Sequence, residues 1–242
     1  MLLNQKMKPH RLSKQSRKEI CVHEAAHGVI AALAGLFVHR LRVAPEGWPL
    51  DTDWVAVTRK GVVVSNSLGV CESSEDYLPF QFLEWIEDES VYQADRKGFR
   101  SMVRQRAELL AAKRGSVAEY GTEARRRVRA HICVLVAGPI GEGIFAGIDE
   151  PIYLEDDDPF PSHDLTKAEA LSLLLPYRNE YKTACASTEK ALRDPELWGM
   201  VIRLADELEQ KGDLKECEKF LPKRRPCWPR SSRCGAISPG RG

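Results

Sequence analysis

The sequence is short of several features that would settle its class at once. It has no C-x-x-C pair and no regular cysteine framework. The seven cysteines (Cys21, Cys71, Cys133, Cys185, Cys217, Cys227 and Cys234) are odd in number and scattered, which fits free thiols in a reducing compartment. Charge of one sign is also missing: 36 basic and 35 acidic residues leave a formal net charge of +1. No global field therefore steers the chain to nucleic acid or to anionic lipid, and a nucleic-acid partner is not expected. The N-terminus, MLLNQKMKPHRLSKQSRK, lacks the apolar core of a signal peptide. The one long apolar run, Ile132 to Ile148, is broken by Pro139, Glu142 and internal glycines, so no membrane span is expected. No G-x-x-x-x-G-K-[ST] phosphate loop occurs, which excludes an ATPase of that type within the sequence, and no internal repeat is visible. These absences predict a soluble, cytoplasmic protein whose electrostatic contacts are local.

What is present is enough chain, 242 residues, to bury a core without disulfides. Residues 1–15 read as a flexible lead. Ser16 to Leu36 reads as a helix, with Ser16 and Glu19 spaced as a capping box and Gly35 as its stop. VHRLRV (Val38 to Val43) alternates as a half-buried strand does. Trp54 to Val57 and Val62 to Val64 are further short strand candidates, separated by turn residues. From Asp76 to Ala130 an acidic aromatic stretch gives way to basic, mainly helical sequence, read as a charged insertion. Ile132 to Phe145 predicts a buried helix. His163 to Leu175 predicts another, started by Pro161 and Ser162, with two more from about Tyr177 to Arg193 and Pro195 to Gln210. Gly212 closes the last of these, and Asp213 is expected to cap a final short helix. Residues 223–242 are rich in Pro, Arg, Ser and Gly and predict disorder. The expected class is mostly α (α+β), one helical domain over 16–222 with a small sheet beside its first helix.

That first helix contains His23-Glu24-Ala25-Ala26-His27, an H-E-x-x-H pattern. Chance places about one such match in a hundred chains of this composition. Residues i and i+4 share a helix face, so both imidazoles can address one ion while Glu24 stands beside it. Two imidazole nitrogens suit Zn2+, with an open position for a water whose pKa falls to about 7. Glu24 is then placed to act as general base and later as acid. Catalytic zinc usually takes three protein ligands, and the third is not local here, because Ile30 and Leu33 stand where a longer zinc motif has Gly and His.

HEAAHGVIAAL resembles the HEAGH helix of the FtsH family of AAA zinc proteases, and VHRLRV resembles the strand that follows it there. LVAGPIGEGIFAG is similar to that family's glycine-rich LGGRxAEEIxFG helix, and SHDLTKAEAL to its SNDLxxAT segment. All four pieces occur in the same order. The resemblance implies that Asp164 is the third metal ligand. His163 is the next candidate, and Glu142, within the AGPIGEG segment, is a third whose place suggests packing or support of a histidine. The resemblance also implies a zinc metalloendopeptidase acting on unfolded or flexible protein or peptide substrates. Three departures qualify it: the insertion at 76–130, Pro139 and Gly143 in place of the family's Arg and second Glu, and the missing ATPase. A separate unfoldase is thus an expected partner, and a homo-oligomer is an open expectation from the family's rings. Two other readings fit the same residues: a catalytically degenerate module that binds or regulates a protease assembly, and a zinc hydrolase of non-peptide amides.

Overall fold

A computed structural model describes residues 11–59, 61–65, 67–73, 79–111, 117–148 and 163–222. The expectations for most of the N-terminal lead, for Pro161 and Ser162, and for the tail lie outside them. Within them the protein is mostly helical with small sheets.

The first helix, α1, spans Lys14–Leu33. Its N-cap is Ser13, whose hydroxyl accepts from the Ser16 amide at 3.0 Å. The expected Ser16–Glu19 box is not formed, and the Glu19 carboxylate instead accepts from Gln15 Nε2 at 2.9 Å. Sequence favoured the wrong serine because both precede a helical pattern and only one has an extended backbone. At the other end, Leu36 N–H donates to Ala31 O and Gly35 N–H to Ala32 O, a paired closure that needs the left-handed φ of +83° at Gly35. The segment before Ser16 is also packed, since Leu12 is buried and its amide donates to Trp48 O at 2.9 Å.

VHRLRV forms β1 (Val38–Val43) as expected, the centre of an antiparallel sheet ordered β4-β1-β7. β4 is Gly69–Ser73 and β7 is Asp213–Leu214, with Leu41 opposite Cys71 on one side and Leu214 on the other. Asp213 therefore does not cap a helix. It lies in β7 and accepts from Arg40 Nε at 2.7 Å, and a 3-10 turn at Glu218–Phe220 follows. Two hairpins stand apart from this sheet: β2 (Ala56–Val57) with β3 (Val63–Val64), and β5 (Leu83–Ile86) with β6 (Val91–Ala94).

The stretch read as an insertion comprises the β5–β6 hairpin, helix α2 (Arg96–Ala111) and the first half of α3 (Val117–Phe145). Residue 130 is not a boundary, because basic and apolar parts join in one helix of 29 residues with Pro139 inside it. The solvated Arg face and the buried Ile132–Ile140 face belong to successive turns of the same rod, so the change in composition mimics a break. Tyr120–Phe145 is long and apolar enough by composition to cross a membrane, yet 67% of its most apolar window is buried within the fold.

Helix α3 packs against α1, α2, α4 (His163–Leu173) and α5 (Glu180–Leu192), while α6 (Pro195–Lys211) covers another side of α1. Asp194 caps α6 by accepting from the Glu196 and Leu197 amides, and Gly212 ends it with φ of +68°. Nearly every residue of α1 from Cys21 to Ala32 is buried, which makes it the central helix. Ile30, Leu41, Ile132, Leu171, Leu204 and Leu208 are each under 2% exposed. Such side chains contribute about 1.5–3 kcal/mol apiece, so the helix bearing the H-E-x-x-H pattern is among the best held.

Candidate metal centre

His23 and His27, one turn apart on α1, turn their Nε2 atoms toward each other at 2.9 Å. Asp164, in the first turn of α4, places Oδ2 3.2 Å from both. The three atoms form a nearly equilateral triangle, close to the edge of roughly 3.3 Å of a tetrahedron with bonds of about 2.0–2.1 Å. The two histidines also receive partners behind the triangle. His27 Nδ1–H donates to Val134 O on α3 at 2.6 Å, which leaves Nε2 of the neutral ring with a lone pair facing the triangle. His23 Nδ1 lies 3.1 Å from Glu142 Oε1, close enough for charge attraction though not aligned as a hydrogen bond.

Two ring nitrogens and a carboxylate oxygen thus face one another, with no group besides a proton of the imidazoles themselves to hold them together. The space beside them is kept open by a glycine. A Cβ on Gly138 of α3 would sit 2.4 Å from His23 Nε2 and 2.5 Å from His27 Nε2, which is the cradle of a small ion. Donor type, spacing and cradle all fit Zn2+. Among the described residues, His23, His27 and Asp164 are the group of His, Cys, Asp and Glu that meets in this way.

The electrostatics carry the same signature. Burial alone would lower the His23 pKa, but the Asp164 and Glu142 carboxylates outweigh it and raise it well above 6.5. Burial would raise the Asp164 pKa, but both imidazoles outweigh that and hold it well below the usual carboxylate range. Surroundings that favour positive charge on the imidazoles beside a carboxylate would favour a divalent cation in the same place.

Glu24 is only 5% exposed, and burial raises its carboxyl against the opposing pull of His23 and His27. Its Oε1 abuts β4, where a Cβ on Gly69 would lie 2.5 Å away. Glu24 and His23 line a cleft of about 420 Å3 together with Ile20, Trp54, Gly69 and Glu142. In the sheet, β4 is hydrogen-bonded to β1 alone, so its other edge is unpaired among the described strands.

Of the three candidates for third ligand, the structure brings Asp164 to the imidazoles. His163 turns the other way, with Nε2 hydrogen-bonded to Tyr92 Oη at 2.7 Å and its ring 5.2 Å from that of Trp85. Glu142 stands behind His23 rather than between the two rings. Sequence reasoning passed over Val134, whose part is played by a carbonyl, and Gly69. It noted the α3 glycines only as breaks in an apolar run. No protein-family model matches the chain, and no curated protein matches it.

Proposed function

We propose that the protein is a zinc-dependent metalloendopeptidase, with His23, His27 and Asp164 holding the metal and Glu24 as the general base. The observation that carries this reading is the convergence of three bare donor atoms over the Gly138 cradle, with a buried carboxylate at the next position of the same helix. The resemblance to the FtsH peptidase helices supports it independently of the geometry.

When bound, zinc supplies a Lewis acid and a water acidified to a pKa of about 7. Glu24 takes the proton of the attacking water and delivers it to the leaving amine nitrogen. A carboxyl raised by burial is better matched to that two-way traffic than an exposed one. Val134 O fixes the His27 tautomer, and Glu142 attracts the outer nitrogen of His23. The unpaired edge of β4 beside Glu24 offers main-chain hydrogen bonds to an extended substrate, which favours unfolded or flexible polypeptides over folded ones.

The test is Glu24→Gln. Wild type is expected to bind about one zinc per chain and to hydrolyse casein. The variant keeps the zinc and loses hydrolysis by about a hundredfold or more. Full hydrolysis in that variant would refute the base. Zinc-loaded wild type that cleaves no unfolded substrate, alone or with an added unfoldase, would mark a peptidase-like binding module instead.

A further inference from the structure

We propose that Tyr92 is a positioning residue for Asp164, and that the β5–β6 hairpin with the start of α2 is a brace setting the third ligand against the two histidines. The inference rests on the metal reading above and gives a role to a segment that reading leaves unused.

Asp164 occupies the place on α4 where a helix is least held. First-turn amides have no partner within the helix, and helix ends fray unless something outside ties them. The buried face of α4 (Leu165, Ala168 and Leu171) rests in the core and fixes how the helix is rotated. Within the first turn the core holds Leu165 and Thr166, but exposed His163 and half-buried Asp164 lie on the side it does not cover. The hairpin supplies the missing tie. Tyr92 Oη is hydrogen-bonded to His163 Nε2 at 2.7 Å, and His163 directly precedes Asp164 in the chain.

The tie is reinforced on every side the described residues show. Trp85, opposite Tyr92 in the hairpin register, packs its ring at a tilt 4.8 Å from Tyr92 and edge-on 5.2 Å from His163. One turn along α4, the Lys167 ammonium lies 5.6 Å over the Tyr92 ring. Within the first turn, the Thr166 hydroxyl donates to His163 O at 3.0 Å, so what holds His163 also holds the backbone that carries Asp164. Past the far end of α4, Arg96 at the start of α2 donates from Nη2 to Leu175 O at 3.1 Å. The hairpin and the helix behind it therefore grip α4 at both ends. Metal bonds tolerate only about 0.2 Å of error, so a first turn free to fray would forfeit affinity well before the fold is lost.

The experiment compares wild type, Tyr92→Phe, His163→Ala and the double variant. Three readouts are taken in parallel: zinc affinity by chelator competition, first-turn exchange in metal-free protein, read at the Lys167 to Glu169 amides that donate to the first-turn carbonyls of α4, and the thermal midpoint. Tyr92→Phe keeps the ring and its stacking and removes only the hydroxyl. It is expected to weaken zinc binding about two- to tenfold and to speed first-turn exchange by a similar factor, with the midpoint little changed. Adding His163→Ala to it should cost less than His163→Ala costs alone, because the shared bond is already gone and only the ring contacts of His163 are left to lose. Unchanged affinity and exchange in Tyr92→Phe would overturn the proposal. So would a lower midpoint with unchanged affinity and exchange, which marks a merely structural hydroxyl. Loss of zinc in His163→Ala with a silent Tyr92→Phe would overturn it too, by making His163 itself a ligand. If wild type takes up no zinc, the metal reading fails, and the exchange measurement still decides the brace: faster first-turn exchange in Tyr92→Phe sustains it and unchanged exchange overturns it.

Discussion

Gly138→Ala is the sharpest perturbation the site offers, because one methyl group is aimed at the seat of the metal. The new Cβ would lie 2.4 Å from His23 Nε2, 2.5 Å from His27 Nε2 and 2.6 Å from His23 Cδ2. Comfortable contact for such atoms is about 3.5 Å, so both rings must retreat by roughly 1 Å. Ligand distances in a zinc site tolerate about 0.2 Å, and the retreat exceeds that several times over. Zinc affinity should fall by about a hundredfold or more. Stability of the metal-free protein changes little by comparison. Overpacking costs about 1–3 kcal/mol, and replacing a mid-helix glycine by alanine returns about 1 kcal/mol.

Gly141→Ala is the control. Its Cβ would meet Ala26 Cβ at 2.7 Å, a similar clash between α3 and α1 with no ligand atom among the nearest neighbours. Thermal melts with zinc at a hundred times its Kd separate the two. Wild type and Gly141→Ala gain about 2.7 kcal/mol, or roughly 5–10 °C, and Gly138→Ala gains at most about 0.4 kcal/mol, or roughly 1–2 °C. A Gly138→Ala protein that shows the wild-type zinc shift would refute the placement of the ion.

Three further outcomes are expected. The Asp164 and Glu142 carboxylates push the His23 pKa up against its burial, which favours the protonated ring in the metal-free protein, and zinc needs the bare nitrogen. Calorimetry at pH 7 in buffers of different ionisation heat should therefore show release of about one proton, with affinity climbing as pH rises through the raised pKa; buffer-independent heats would contradict this. Gly69→Ala should push Glu24 aside, since the added Cβ lies 2.5 Å from its Oε1, cutting hydrolysis on the order of a hundredfold with zinc retained, a split read from paired activity and metal assays. Arg129→Met strips the partner from Glu180, which is 8% exposed and accepts from Arg129 Nε at 2.8 Å between α3 and α5. It should cost about 3 kcal/mol in urea denaturation, the low end for a buried pair because Arg129 is 34% exposed, whereas Arg104→Met, on the surface, should change nothing measurable.

How far the sequence discloses this fold depends on how local each feature is. VHRLRV reads as a strand because its own alternation says so, and α6 reads to its end because Asp194, Pro195 and Gly212 are all within the helix or at its margins. β4 and β7 carry no such mark. GVCES is too short to be periodic, and Asp213–Leu214 is a strand only because β1 lies beside it, some 170 residues earlier in the chain. The β5–β6 hairpin hides for a related reason. LEWI and VYQA are joined by EDES with Ser90 at φ of +52°, a left-handed residue without the glycine that normally announces such a turn.

The site divides along the same line. His23, Glu24 and His27 are legible because four residues on a helix make one turn, so their meeting follows from spacing alone. Asp164 reaches the triangle from 137 residues beyond His27, and spacing carries no information over that distance. Only the resemblance of SHDLTKAEAL to a known segment singled it out from His163. Chemistry would have favoured the histidine, the commoner zinc ligand, and the structure shows why it is not free: Tyr92, in a segment the resemblance does not cover, holds its Nε2. The neighbour that the structure keeps from the two imidazoles is thus bonded to the hairpin proposed to place Asp164. A sequence pattern names the groups able to bind an ion, and which of them reaches it is decided by elements the pattern never mentions.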